Sequence, residues 1–374
     1  MGTRRSPARL VAWWRHTGVP ARSDGSSRHV RLRVGGQGKG KERGVGFGGQ
    51  TWGVEVEWRG PGEGDLDAWV RALRAVEAVD RTGEVLGRED LEEQLGLSYV
   101  DPGLDARLGW CDGEVVAWGV VWSIPSPTQR RVMLDGAVVP AFRGRGIGAE
   151  LVEWQMVRGG EVAAARDLAI PGWLELAASE NDSARIELFR HFDFEPLRYY
   201  FEMRRRLHDV PIFDGPNANA DGDLEVRGID PVLDEPVRDA HNDAFRDHFA
   251  SSVLDVETWK RWVTGHHNFR ADCSFVAMVD DQIVGYALNA LHPDDWPSLG
   301  FKEGWTHQLG VRRPFRGRGI AKLLLEATAR AFAQEGLDYA ALDVDAENPS
   351  GALALYEGQG YRRDKTRVAW SHPL

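Results

Sequence analysis

One stretch of this chain occurs twice, and the repetition constrains the fold more than any other feature. VVPAFRGRGIGAELVEW at 138–154 returns as VRRPFRGRGIAKLLLEA at 311–327, with Arg316 standing 173 positions after Arg143. The flanks repeat too. ARLGWC and EVVAWGVVW, joined by Asp112-Gly113, are answered by FVAMVDDQIVGYALNAL at 275–291, and LELAASENDSARIELFRHFDF at 174–194 by ALDVDAENPSGALALYEGQGY at 341–361. A long internal period means two copies of one supersecondary plan. The 374 residues then divide into halves of ordinary domain size. HDVPIFDGPNANADGD at 208–223, rich in turn formers, reads as the linker between units at 53–207 and 224–374.

Within the first half the apolar pattern switches between periods of two and 3.6 residues. Alternation at 52–58 predicts a strand, and 65–80 predicts a helix with Asp65 as its cap. Asp112-Gly113 tolerates positive φ and predicts a tight hairpin turn. A strand at 131–139, a Gly-rich turn, a helix of about fifteen residues, a strand at 173–179, a helix near 183–192 and a strand at 198–207 complete the unit. In the second half TWKRWV at 258–263 sits on a helix before the hairpin. The fold class expected is α/β, a mixed sheet in each of two tandem domains.

Residues 1–50 differ in kind. They carry 11 basic and 2 acidic residues and a tract, GGQGKGKERGVGFGG, with almost nothing apolar to bury. Ordering such a tail costs entropy without compensation, so disorder is expected. The rest of the chain holds −20 of the net −11. An acidic body of this kind excludes the basic footprint of a nucleic-acid binder and modestly favours cationic ligands. Cys111 and Cys273 have no partner spacing, which excludes a disulfide framework or thiolate zinc site and leaves them as buried hydrophobes. No apolar run reaches the length of a membrane span. Leu10 to Trp14 is too brief for a signal-peptide core, so a cytoplasmic protein, monomer or homodimer, is expected.

The repeated turn carries the chemistry. Arg143-Gly144-Arg145-Gly146-Ile147-Gly148 and Arg316-Gly317-Arg318-Gly319-Ile320-Ala321 each lie between a strand and a helix. Small residues let backbone N–H groups approach an anion at the positive end of the helix dipole, and arginine adds charge-assisted bonds to phosphate. A pyrophosphate fits this description. A P-loop would need Gly-Lys-Ser/Thr, and a dinucleotide fingerprint would need a different glycine spacing.

The pattern Arg-x-x-Gly-x-Gly/Ala after a strand resembles the acyl-CoA signature of the GNAT superfamily of N-acetyltransferases. Asn348, Ala352, Tyr356, Gly360 and Tyr361 are similar to that superfamily's second motif, and the element order β-α-α-β-β-β-α-β-α-β agrees. The resemblance spans about 53–374 in two tandem copies, as in two-domain actinobacterial acetyltransferases. It implies acetyl transfer from acetyl-CoA to a primary amine of a small molecule, with no metal. Leu309 and Val311 would offer backbone groups to pantetheine, residues 316–321 would hold the pyrophosphate, and Val138 with 143–148 would do so in the first copy. Tyr356 would protonate the departing thiolate, and Asn348 would orient cofactor or substrate. The alternatives are an acyl-CoA-sensing module without catalysis, and transfer of another acyl group or to a hydroxyl.

An attacking amine must lose a proton, and His307, two residues before Leu309, is placed on the same strand face by period two. It also resembles the histidine at this place in arylalkylamine acetyltransferases. Glu303 and Asp345, acting through water, are the other candidates. Aligning the copies sets Phe189 against Tyr356, Arg185 against Ala352, Asp193 against Gly360 and Leu134 against His307. Phenylalanine donates no proton, so the first copy is expected to be non-catalytic. His266-His267 and the pair His241 and His248 lack H-E-x-x-H spacing and read as solvated helix-end histidines. Trp259, Trp262, Trp296 and Trp305 read as core in preference to an acceptor pocket.

Overall fold

The computed structural model describes residues 54–83, 85–208, 223–246, 251, 253–348 and 351–374. The expected disordered tail and nearly all of the expected linker lie outside the described residues. In the first half the order is β1 (Glu57–Arg59), α1 (Leu66–Asp80), α2 (Arg88–Leu95), α3 (Pro102–Asp105), β2 (Ala106–Cys111), β3 (Glu114–Trp122), β4 (Arg130–Val138), α4 (Ile147–Ala164), β5 (Gly172–Ser179), α5 (Ser183–His191) and β6 (Glu195–Arg206). The second half runs β7 (Glu225–Gly228), α6 (Asp234–Ala244), α7 (Val256–Trp259), β8 (Phe275–Val279), β9 (Gln282–Leu291), α8 (Trp296–Leu299), β10 (Glu303–Val311), α9 (Ile320–Gln334), β11 (Tyr339–Asp345), α10 (Ala352–Gly358) and β12 (Arg362–Pro373). A π turn, Lys260–Thr264, continues α7.

Local signals act as expected in most of these elements. Asp112 and Gly113 take φ of 50° and 79°, the pair of left-handed residues that a two-residue hairpin requires, and Asp280 and Asp281 do the same at 47° and 62° in the second hairpin. Asp65 is a correction. Its carboxylate does not cap α1; it accepts the Gly62 N–H at 2.7 Å and pairs with Arg59, so it closes the approach to the helix instead. The expected strand at 52–58 is confined, among the described residues, to Glu57–Arg59.

The twelve strands among the described residues form one sheet, ordered β1-β2-β3-β4-β5-β12-β6-β11-β10-β9-β8-β7. The order is palindromic when β1–β6 are exchanged for β7–β12, so the halves are related by a pseudo-twofold. The centre of the sheet departs from two self-contained sheets. The first half's last strand, β6, lies antiparallel to β11 from Tyr339↔Arg206 to Asp345↔Tyr200. The second half's last strand, β12, lies between β5 and β6. Each half thus closes its sheet with a strand from the other.

At two places neighbouring strands are parallel and paired over a short length. β4 meets β5 from Arg130↔Gly172 to Met133↔Glu175, and β10 meets β11 from Glu303↔Tyr339 to Trp305↔Ala341. Beyond these pairs β10 stays with β9 while β11 stays with β6, so the strands part and open a cleft at their carboxyl ends. Against the sheet pack α4 and α9, through residues such as Leu151, Val152, Leu324 and Phe332, each buried. α1, α2, α6 and α7 contribute to a shared core on Trp69, Leu91, Val237 and Trp259.

A prediction follows from the exchange. Residues 224–374 expressed alone leave β11 without β6 and β12 without either neighbour, exposing strand edges that invite association. The fragment is expected to be aggregated or oligomeric, and co-expression with 53–207 to restore a soluble complex. A monomeric 224–374 that unfolds cooperatively in a denaturant titration would contradict the dependence.

Candidate active site

The cleft between β10 and β11 gathers the second copy's expected residues. His307, Leu309, Val311, Arg316, Gly317, Gly319, Ile320, Ala321, Asn348 and Tyr356 all line it. Arg318 does not, and its guanidinium lies 5.8 Å from the Phe315 ring. The matching cleft of the first copy takes in Val138, Arg143, Gly144, Gly146 and Gly148. There Arg145 turns back to the Ala141 carbonyl at 3.0 Å, and Ile147 is buried in the core.

The turn before α9 can receive an anion for a backbone reason. Gly317 and Gly319 hold φ of 76° and 77° with open space where a Cβ would stand, and α9 starts with no side chain on its first N–H groups. Helix-start amides of this kind favour negative charge. Arg316, which lines the cleft, also has a structural part that the sequence did not indicate. Its Nε donates to the Val311 carbonyl at 3.1 Å and its Nη2 to the Ala244 carbonyl at 2.7 Å, so it ties the end of β10 to α6. Arg143 likewise donates to the Val138 carbonyl and engages Asp80 through both Nη atoms at 2.7 Å. The cation that lines the second cleft and was not singled out from the sequence is Lys322; the repeat sets Ala149 against it.

His307 reaches the cleft by a route that period two did not foresee. β10 pairs with β9 as Thr306↔Asn289 and then Gln308↔Leu288, so His307 is the extra residue of a β-bulge. A bulge re-aims side chains and leaves a residue outside the ladder. The face changes accordingly: a Cβ on Gly304 would meet Phe332 of α9, whereas one on Gly310 would run into Tyr286, which is bonded to His241 of α6. Leu309 packs with Ile320 and Leu324, and the His307 ring instead stacks on His292 with centroids 5.0 Å apart. His307 and Leu309 therefore occupy opposite faces. In the first copy β3 and β4 pair from Ala117↔Val138 to Trp122↔Met133 with no register shift.

The other two base candidates are placed elsewhere. Glu303 is fully buried, held by Arg204 Nε at 2.6 Å and by Trp305 Nε1 at 2.7 Å. Burial opposes the charge of Arg204 and is outweighed by Glu202 and Glu303 beside it. Asp345 is buried, its carboxyl pushed up by burial, and accepts the Glu347 N–H at 2.9 Å; it is not among the residues lining the cleft, whereas Asp343 is. Tyr356, on α10, is buried with its ring 6.0 Å from Tyr361. Phe189 lines the first cleft in its place, its ring 6.2 Å from those of Phe194 and Trp370.

Several histidines move from their expected settings, whereas the tryptophans keep theirs. His241 is buried, with Nδ1 2.9 Å from the Tyr286 hydroxyl, and His248 lies outside the described residues. His266 is buried rather than solvated, and burial lowers its pKa to about 4; its Nε2 lies 3.2 Å from Glu93, and His267 Nδ1 lies 3.1 Å from the same carboxylate. Trp259, Trp262 and Trp305 are core, with N–H groups on Asp234, Tyr99 and Glu303. Trp296 packs at the core's edge. Cys273 is buried and its thiol is pushed up to about 12 by burial, while Cys111 is half-buried.

Comparison with known proteins agrees with this architecture. The model of the acetyltransferase (GNAT) family matches residues 75–194 and again 235–361. The chain belongs to the GNAT family. It is a tandem acetyltransferase, and the family uses acetyl-CoA as co-substrate. A mycothiol acetyltransferase of Nocardia farcinica is 25% identical over 327 residues, covering 85% of this chain and 98% of the relative. One from Acidothermus cellulolyticus is 30% identical over 241 residues, 62% of this chain and 68% of the relative. Among solved structures, a GCN5-related N-acetyltransferase from Sphaerobacter thermophilus shares the fold with a TM-score of 0.63 at 24% identity, over 85% of this chain and 95% of that one. A tandem GNAT protein from the clavulanic acid biosynthesis pathway does so with 0.60 at 18% identity, over 85% and 98%. Among the described residues no helix is long and apolar enough to cross a membrane.

Glu303 gives the prediction of this site. Removing one partner of a buried ion pair leaves the other's charge uncompensated, so Glu303→Gln should destabilise the tandem protein by about 3 kcal/mol. A chemical denaturation series measures it. At a temperature where the variant is folded, its turnover should stay within a few-fold of wild type, and a large kcat loss there would return Glu303 to the reaction.

Proposed function

We propose that the second cleft is the catalytic one and transfers the acetyl group of acetyl-CoA directly to a primary amine of a small molecule, while the first half, about 53–207, is a non-catalytic copy. The observation that carries this reading is a contrast between two clefts of one design. Tyr356, His307, Lys322 and a β-bulge belong to the second, and Phe189, Leu134, Ala149 and an unbroken ladder to the first. An apolar ring and an aliphatic chain can neither donate nor accept a proton.

The proposed step is one displacement. Leu309 and Val311 lie along pantetheine, and the turn amides of 317–321, with Lys322, meet the pyrophosphate. Asn348 orients cofactor or substrate. The unprotonated amine attacks the thioester carbonyl, its proton passes to His307, the C–S bond breaks, and the Tyr356 hydroxyl gives its proton to the thiolate. Alignment of the two reactants supplies much of the rate. The acceptor is expected to be cationic in its resting form, since an acidic body and Asp343 in the cleft favour it. The names of the relatives support an amine of the mycothiol series.

A screen of primary amines, including amino sugars, polyamines and cysteinyl compounds, with free CoA as readout, tests the acceptor class. With the acceptor so found, Tyr356→Phe should lower kcat about 100-fold while acetyl-CoA affinity is kept, the mark of a group acting in the transition state. His307→Gln should remove the acidic limb of kcat/KM. Gly319→Glu should abolish turnover and Gly146→Glu should spare it, because the added carboxylate repels pyrophosphate only where catalysis uses it. Near-normal kcat in Tyr356→Phe, or loss of turnover in folded Gly146→Glu, would overturn the assignment.

A further inference from the structure

Behind His307 lies a file of buried polar groups that the reaction just described does not use. His292 and Asn268 are buried. His292 Nε2 is 2.9 Å from His307 Nε2, and His292 Nδ1 is 3.1 Å from the side-chain amide nitrogen Nδ2 of Asn268. The backbone of Asn268 is fixed: its main-chain carbonyl accepts the Leu291 N–H at 3.1 Å, and its main-chain N–H donates to His266 Nδ1 at 3.3 Å. His266 then carries its proton on Nε2, toward Glu93 of α2. The anchor of the file thus belongs to the first half.

Proton counting allows this file two arrangements. A neutral imidazole has one N–H, and each contact in the file holds one proton. If Asn268 presents its NH₂ to His292, then His292 donates through Nε2, and His307 must carry its proton on Nδ1. His307 is then a donor at Nδ1 and has no lone pair with which to take a proton from an amine. If Asn268 presents its carbonyl oxygen, His292 donates to it through Nδ1, His307 donates through Nε2, and Nδ1 of His307 offers its lone pair. The two ends of an amide have the same shape, so a half-turn about the Cβ–Cγ bond exchanges them without a change of volume.

We infer that Asn268 and His292 are positioning residues that set the tautomer of His307, and that the amide of Asn268 turns its oxygen to His292 in the reactive enzyme. The inference rests on His307 as the base. The logic is that of a triad, in which a third group holds the imidazole in the tautomer able to accept a proton and stabilises the imidazolium formed. Other titratable groups bordering the same cleft are Asp343 of β11, Tyr356 of α10, and Arg316 and Lys322 at the turn before and the first turn of α9. On β10 itself Glu303 is committed to Arg204.

The test uses the full chain with ¹⁵N-labelled histidine side chains and bound acetyl-CoA, His307 being assigned by loss of its signals in His307→Gln. At a pH where it is neutral, His307 should show a protonated Nε2 and an unprotonated Nδ1. Asn268→Asp can only accept, so it should keep that tautomer and raise the titration midpoint of His307 by about one pH unit. Asn268→Leu should mix the tautomers, and with the screened acceptor it should lower kcat tenfold or more with the acetyl-CoA KM unchanged. A proton on His307 Nδ1 in the wild-type complex, or a midpoint and tautomer unmoved in Asn268→Asp, would overturn the inference. Normal turnover in His307→Gln would instead remove the base reading and leave the tautomer result standing separately.

Discussion

The cleft exists because β10 and β11 are joined through Glu303, Gly304 and Trp305 and no further. Parallel strands that stayed paired would fill this space with a ladder. Here each strand follows its antiparallel neighbour, β10 with β9 and β11 with β6, and the gap left between them is lined on one side by 306–311 and on the other by 342–344. A ligand inserted there meets backbone on both walls and the amide-rich start of α9 at its end. The wall formed by β11 is held in place by β6, a strand of the other half, so the geometry of the second cleft depends on the first half's presence.

Under the proposed division of labour, that dependence gives a physical reason for two copies to persist. The first copy keeps the same parting of strands, the same left-handed glycines at Gly144 and Gly146 and a cleft of similar lining. It differs in side chains at the reacting end, where Leu134 and Phe189 are both buried hydrophobes packing with Val132, Phe194 and Trp370. Such residues stabilise the region by apolar burial, which the polar side chains His307 and Tyr356 of the other copy do less well. This end of the copy is packed as core.

Much of the plan was legible in the sequence because its signals are local. The repeat placed the strands and helices, Asp112-Gly113 and the Gly-rich turns placed their bends, and the pairing of Tyr356 with Phe189 survives in space at equivalent positions of two clefts. The strand exchange was not legible, since Glu195–Arg206 has one apolar pattern whether its neighbour is β5 or β11. The bulge was hidden for a similar reason: an extra residue in β10 leaves the alternation of letters intact and changes only the face, which is why His307 parts from Leu309. The structural part of Arg316 was hidden because an arginine beside glycines suits a phosphate as well as it suits two backbone carbonyls. His292 carried no signal beyond a His-Pro step at a strand end, and its meaning arises only when β9 and β10 lie side by side.

Two ionisable residues four positions apart on β10 illustrate how surroundings decide role. Glu303 lies where β10 is still paired with β11, and there Arg204 from β6 reaches across to it. A carboxylate buried this completely requires such a partner, because desolvation otherwise drives it toward its neutral form. His307 lies just past the point of parting, outside the ladder, where the cleft begins. Its buried neighbour is another neutral-capable ring, which can share a proton without imposing a charge. The same strand therefore holds a locked ion pair at its paired end and a histidine outside the ladder at its open end. Since Arg204 belongs to the first half, removing that half would leave Glu303 as an uncompensated charge directly beneath the bulge that carries His307.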